Sequence, residues 1–462
     1  MPTVKHAPGT AALVAAGRGT AVASVCAIGL FQVERSLGGV WSAAAIVLAA
    51  VGCGALARVL GRLATLVPSE AGVLAYLSRG FGRRTGVLIA VPYLLLSLFL
   101  LGVEALIVGV LCARLAALPS WLGAVGFLLG MWSLSKLGVR VSHRLQALAS
   151  WSLLCSLSIG AISALVRAGQ HGELALRLLP AVPTASAFVA GVGRALFLFM
   201  GFELVTSHAD SARTPRSVRR TLTIRVWALG IFYALVALGF ACIPSAADPV
   251  QNALRYAPQL ALAEHALGPS GEWLMIAVTI LASFASWHGA LRALSRFTTA
   301  VAAQGLLPRR FAELDARTQL PHAALDALLG IGLLAAALVA WFDALEATIL
   351  AAAAAAALVY ATLFWVRERV PFAELDRTRA RKRVGYATGL SAAALAVAVV
   401  ADAGQARAAM LTLLVAAGGL AWLAARRVAA RAPARRRPLQ PARSARAIVH
   451  RFARRLTRLA LA

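Results

Sequence analysis

Apolar residues run along this chain in blocks of about 20, each closed by a short polar or basic cluster, without strand-like alternation. A block of that length crosses a bilayer core as a helix. Twelve can be placed. The first six are Ala12–Phe31, Val40–Leu60, Thr85–Leu111, Trp121–Leu137, Leu145–Val166 and Phe188–His208. The second six are Ile224–Ile243, Gly271–Leu291, Ala323–Trp341, Leu345–Trp365, Tyr386–Ala401 and Ala408–Ala425. Lipid offers a backbone no hydrogen-bond partner, and no barrel pattern is present, so the expected fold class is all-α, a polytopic membrane protein with 12 transmembrane helices.

Two blocks carry an interruption near mid-depth: Ala27-Ile28-Gly29 in the first and Met200-Gly201-Phe202-Glu203 in the sixth. Interruptions at corresponding places in two halves point to a five-plus-five inverted repeat with unwound first and sixth helices and a midplane site, the last two helices being appended. The organisation then reads as a ten-helix core over 1–365, a basic loop over 366–385, helices 11 and 12 over 386–425 and a basic tail over 426–462. The alanine run Ala351–Ala357 suits close helix packing.

Composition agrees. The 462 residues are 60% hydrophobic and 14% charged, with a mean hydropathy of +0.78, whereas soluble domains are about 25% charged. A net charge of +28 would suggest a nucleic-acid partner in a soluble protein. Here the basic residues sit in short loops and a tail, so the partner is the lipid bilayer and no nucleic acid is expected. Most of the 46 Lys and Arg fall on one side, in Ser78–Arg84, Lys136–Arg144, Ser211–Arg225, Arg292–His322, Arg367–Arg383 and from Arg426 on. The other side holds Arg35, Arg114, Arg167, Arg177, Arg255 and Arg407. This bias places both termini in the cytoplasm of a multi-pass inner (plasma) membrane protein. The polar stretch Met1–Gly9 predicts an uncleaved first helix as insertion signal. In the tail, Arg443–Leu461 reads either as an amphipathic helix on the anionic leaflet or as a solvated basic segment.

Five cysteines lie in the spans without metal-ligand or redox spacing, so neither a metal nor another cofactor is expected. No Gly-x-Ser-x-Gly elbow or phosphate-binding Gly-Lys motif is present, which argues against an enzyme. The chemistry lies in charges inside hydrocarbon. A carboxylate there costs about 3 kcal/mol, so Glu203, beside Gly201, is a functional candidate able to bind an amine or carry a proton, or else a structural acceptor for a helix end. Glu104 is a second such carboxylate. His288, beside Trp287, faces a cavity or is a packing histidine. Arg58 and Arg62 snorkel to the interface or form a gating ion pair. Ser24, Ser283 and Ser286 are the hydroxyls available to a cation, or are packing contacts.

Three stretches together resemble the amino acid-polyamine-organocation permease superfamily. They are Phe197-Leu-Phe-Met-Gly-Phe-Glu203 with Ala212-Arg-Thr-Pro-Arg216; Leu294–Thr298 through Ala303–Pro308 and Phe311–Arg317; and Leu63–Pro68 with Tyr76 and Phe81-Gly82. The resemblance extends over residues 12 to about 365. It implies a permease that moves a small amino acid or amine by alternating access, together with a proton or against a counter-substrate. It places the solute at Ala27, Ile28, Gly29, Phe197, Gly201, Phe202 and Glu203, while position within apolar spans makes Glu203, Trp287, His288, Arg62 and Glu104 the candidates for gating or proton coupling. The family's Gly-Ser-Gly in the first break is Ala27-Ile28-Gly29 here, and Arg62 stands where an acidic residue is common. Two other readings remain open: an antiporter exchanging an amino acid for its modified product, and a sensor-like homologue that does not transport.

Overall fold

The computed structural model describes residues 24–430 apart from 68, 70, 117, 139–142, 204–205, 207–214, 244–255, 304, 306, 316–317, 319, 370–388, 390–391 and 402. The start of the first span, the basic loop at 211–214, most of the 366–385 loop and the amphipathic tail segment lie outside the described residues.

Every regular element described is helical. In chain order these are α1 (Val25–Leu37), α2 (Gly39–Leu66), α3 (Gly72–Phe81), α4 (Arg83–Ala116), α5 (Ser120–Lys136), α6 (His143–Gln170) and α7 (Ala185–Ala195). There follow α8 (Pro215–Ala241), α9 (Gln259–Leu267), α10 (Pro269–Ala303), α11 (His322–Trp341), α12 (Leu345–Arg369), α13 (Ala392–Ala401) and α14 (Arg407–Ala430). Seven of them, α2, α4, α6, α8, α10, α11 and α12, are long and apolar enough to cross a membrane. The remaining expected spans correspond to shorter pieces. At 1.5 Å per residue, the 17 residues of α5 reach only about 25 Å. The sixth span appears as a segment, α7, rather than as a full helix, and the start of the first span lies outside the described residues.

The bundle is held by small residues and wrapped in large ones. The most extensive helix pair is α2 with α8. Helix α12 lies at the centre, where all seven residues of Ala351–Ala357 are at most 5% exposed. Side chains no larger than a methyl let α2, α3, α4 and α7 come close around it. Leu48, Val51, Trp121, Ile231 and Val415 are exposed on outer faces, where lipid replaces water as the neighbour. Polar pairs mark the bundle's rims: the Lys136 ammonium lies 2.7 Å from Asp326, which also accepts from the Trp132 indole N–H at 2.8 Å, and Arg114 pairs with Glu272.

Candidate functional site at the helix breaks

Helix α7 starts on Thr184, whose hydroxyl accepts the Ala187 N–H at 3.3 Å, and tightens into a 3-10 turn over Leu196–Phe199. Met200 then leaves helical geometry, with ψ at 142°, and Gly201 takes φ +89°, a conformation that a Cβ disfavours. The expected unwinding of the sixth span is therefore present, at Met200-Gly201. The chain turns back sharply enough for the Gly201 N–H to donate to Glu203 Oε1 at 3.1 Å.

Glu203 is 1% exposed and fully engaged from one side. Its Oε1 also accepts the Tyr93 hydroxyl of α4, and its Oε2 accepts the Tyr360 hydroxyl of α12 at 3.1 Å. Phe202 stacks edge-on against Tyr360, with ring centres 5.9 Å apart. The Glu203 carbonyl receives the Thr206 hydroxyl at 2.7 Å. One carboxylate thus ties the broken helix to two spans.

The second carboxylate ties the described start of α1 to α10. Glu104, on α4 and 2% exposed, accepts the Ser24 N–H and hydroxyl, both at 3.3 Å, on Oε1, and the Ser286 hydroxyl of α10 at 3.3 Å on Oε2. A hydroxyl has one proton. Since Ser24 gives its proton to Glu104, the 2.9 Å contact between Ser24 and Ser283 has Ser283 donating. Ser24 immediately precedes α1, and its N–H is a donor that Glu104 accepts from that segment.

Both carboxylates line one cavity of about 100 Å³ between α1, α4, the α7 break and α10. Val25, Cys26, Phe197, Met200, Gly201 and Ser286 contribute to its wall. Among the described lining residues there is no Lys, Arg or His. The site can therefore solvate a cation or bind protons, and its apolar walls can hold hydrocarbon.

The sequence candidates divide accordingly. Glu203, Gly201, Phe197 and Glu104 line the cavity, and Phe202 supports it through Tyr360. The interruption expected at Ala27, Ile28 and Gly29 is not there: all three are helical and buried within α1. Gly29 is the seat of Phe197: a Cβ built there would lie 2.7 Å from the ring. Ala27 lines a separate void of about 10 Å³ with Leu30, Tyr233 and the buried Gln259. Trp287 lies on the cavity helix α10 but packs edge-on against Phe127 of α5, 5.9 Å away, and His288 is buried beside it; neither is among the described lining residues. Arg62 lies near the end of α2, away from the cavity, and Arg58 is exposed. Tyr93 and Tyr360 are the residues that sequence reading missed. The available signal was a phenol deep in an apolar span, which needs a hydrogen-bond partner.

The pattern of the amino acid permease family matches residues 12–409. A stretch of 202 residues, 41% of this chain, is 29% identical to the Cationic amino acid transporter 4, vacuolar, of Arabidopsis thaliana, and spans 32% of that protein's length. Crystal structures of the Eremococcus coleocola manganese transporter share the fold at 16% identity. One, in complex with an aromatic bis-isothiourea substituted compound, superposes with a TM-score of 0.55, covering 91% of this chain and 94% of that one. A point mutant of the same transporter gives 0.57 over the same shares.

Proposed function

We propose, from the premise that the chain belongs to the amino acid permease family, that this multi-pass membrane transporter carries an amino acid or related amine across the inner membrane by alternating access. It is a transporter and not an enzyme. The observation that carries the solute reading is the placement of Glu104 against the described start of α1 and of Glu203 at the α7 break, facing one cavity. A charge in hydrocarbon is costly until something neutralises it. An ammonium does so in the loaded state and a proton in the empty one, which couples the two and gives proton-linked uptake or exchange. The curated relative's name, a cationic amino acid transporter, agrees with an amine-bearing solute. The ten-helix core over 1–365 holds all of these groups.

The α7 break supplies the movement. Phe197 is wedged between Gly29 and the cavity, so a rocking of α1 against α7 opens or closes the wall that separates the solute from one side. In proteoliposomes, Glu203→Gln should lower uptake at least about tenfold and flatten its pH dependence. Unchanged rate and unchanged pH dependence would sink the proposal. Counterflow into vesicles preloaded with an amine separates exchange from proton-linked uptake.

A further inference from the structure

Helix α9 reaches into the bundle with a polar side chain that the protein does not satisfy. Gln259, its first residue, is 0% exposed, yet neither atom of its side-chain amide has a hydrogen-bond partner among the described residues. A buried amide in that condition has given up its hydration with nothing in exchange, which is why such groups are rare in folded proteins. The rest of α9 is held by ordinary contacts. Leu262 packs onto α6 where Gly160 leaves it room, and Arg167 of α6 donates to the Ala266 carbonyl at 3.2 Å. Gly268, with φ +66°, then turns the chain into α10.

The Gln259 amide lines the void of about 10 Å³ between α9, α1, α6 and α8. Much of the wall is hydrocarbon, from Leu30, Leu157 and Phe232 among others. The other polar side chains there are engaged: the Tyr233 hydroxyl is hydrogen-bonded to the Cys26 side chain, and Ser24 to Glu104 and Ser283. A void needs about 10–15 Å³ and about two to four polar partners to take a water, so this one takes a single molecule. A primary amide suits it. One water can donate to Oε1 while accepting from the syn N–H of Nε2, and its second proton is left for the Tyr233 oxygen. A bare cation has no counterpart here, because no Asp or Glu is among the described lining residues.

We propose that this void is a single-water site, in which the water satisfies the Gln259 amide and bonds it to Tyr233, joining α9 to α8 through a polar contact set in hydrocarbon. Such a joint is releasable. When α9 lifts, bulk water replaces the bound molecule on the amide with no hydrogen bond lost, whereas an apolar side chain in the same place would have to be exposed to water. The site is distinct from the cavity of Glu104 and Glu203, and its occupant does not depend on what the protein carries.

The test uses the full chain in nanodiscs and X-ray hydroxyl-radical footprinting read by mass spectrometry. Radicals formed from a bound water oxidise the side chain that it touches, whereas radicals from bulk water do not reach a buried one. Tyr233 is expected to oxidise severalfold faster than Phe199, an equally buried ring 5.8 Å away by ring centres that is not among the described lining residues. Gln259→Met, which fills the same length with apolar atoms, is expected to abolish that excess and to slow amide exchange of α9 severalfold at constant pH. Should the variant fold poorly, the comparison of Tyr233 with Phe199 in the unaltered chain still decides. Tyr233 no faster than Phe199, an excess that survives Gln259→Met, or an excess removed by added sodium, which would assign a cation instead, would each overturn the water site. Exchange of α9 unchanged or faster in a Gln259→Met protein that melts no lower than the unaltered one would overturn the joint. No solute enters these readouts, so they stand or fall separately from the permease reading.

Discussion

Glu203 is held by donors from three places at once, so single replacements around it separate its charge from its support. Tyr360→Phe keeps the ring against Phe202 but removes the donor to Oε2. Leaving a buried carboxylate oxygen without its donor costs about 1–3 kcal/mol. The expected outcome is a melting temperature lowered by several degrees in detergent, read by intrinsic fluorescence, together with slower uptake. Gly201→Ala acts through the backbone: forcing a Cβ to φ +89° costs about 1–3 kcal/mol and displaces the N–H that Glu203 accepts. Uptake should fall more than stability does, because the strain falls on the break itself. Glu203, Gly201 and Phe197 were legible in the sequence, since a charge or a glycine in an apolar run is anomalous without any knowledge of its neighbours. Tyr93 and Tyr360 were not. Their hydroxyls meet Glu203 across 110 and 157 residues, and one-dimensional pattern carries no trace of that encounter. Ser24, Ser283 and Ser286 were singled out as hydroxyls, but that they gather on Glu104 is a fact of the fold.

Among the elements, the break in the sixth span was legible to within a residue, whereas the part of α1 that reaches the cavity was expected at Ala27–Gly29 and is Ser24 to Cys26. The reason is local. Ser24 makes no capping bond within its own helix; its side chain goes instead to Glu104, 80 residues on, and that contact sets where α1 meets the cavity. Gly29 keeps a different task, admitting Phe197, so Gly29→Leu should push the ring into the cavity and abolish uptake while the protein still reaches the membrane. A second element-scale effect concerns α9, a loop helix outside the spans. Burial, with Arg167, Arg177 and His171 facing it, holds His265 below the usual imidazole value of 6.5. The folded state therefore favours the neutral ring, and the unfolded segment binds more protons as pH falls through 6.5. The stability that His265 contributes is present above that pH and is lost below it. The protection factor of α9 amides, the observed exchange corrected for the intrinsic rate at each pH, should fall between pH 7.5 and about 5.5 in the native protein and much less in His265→Gln.

For the whole molecule, the all-helical, many-span architecture was legible because a bilayer leaves a chain few other ways to satisfy its backbone. The described residues hold seven helices long and apolar enough to cross a membrane, with shorter apolar pieces beside them. Charge carries the remaining global information, namely orientation. The charge bias predicts one side for the loops around Arg79, Arg83 and Arg84, around Lys136, Arg140 and Arg144, and around Arg213 to Arg225, together with the Arg-rich segment after Arg426. Only single arginines such as Arg35, Arg114 and Arg255 mark the other. Because bias of this kind is counted over all short loops, no single loop should decide it. A phosphatase that works only outside the cytoplasm, fused after Ala462, should be inactive, and a fluorescent protein fused at the same place should fluoresce. Replacing Arg79, Arg83 and Arg84 with alanine should change neither readout, since the other basic loops retain the bias. An active phosphatase in the unaltered chain would reverse the orientation, and with it the side on which the Gly29–Phe197 contact opens the cavity.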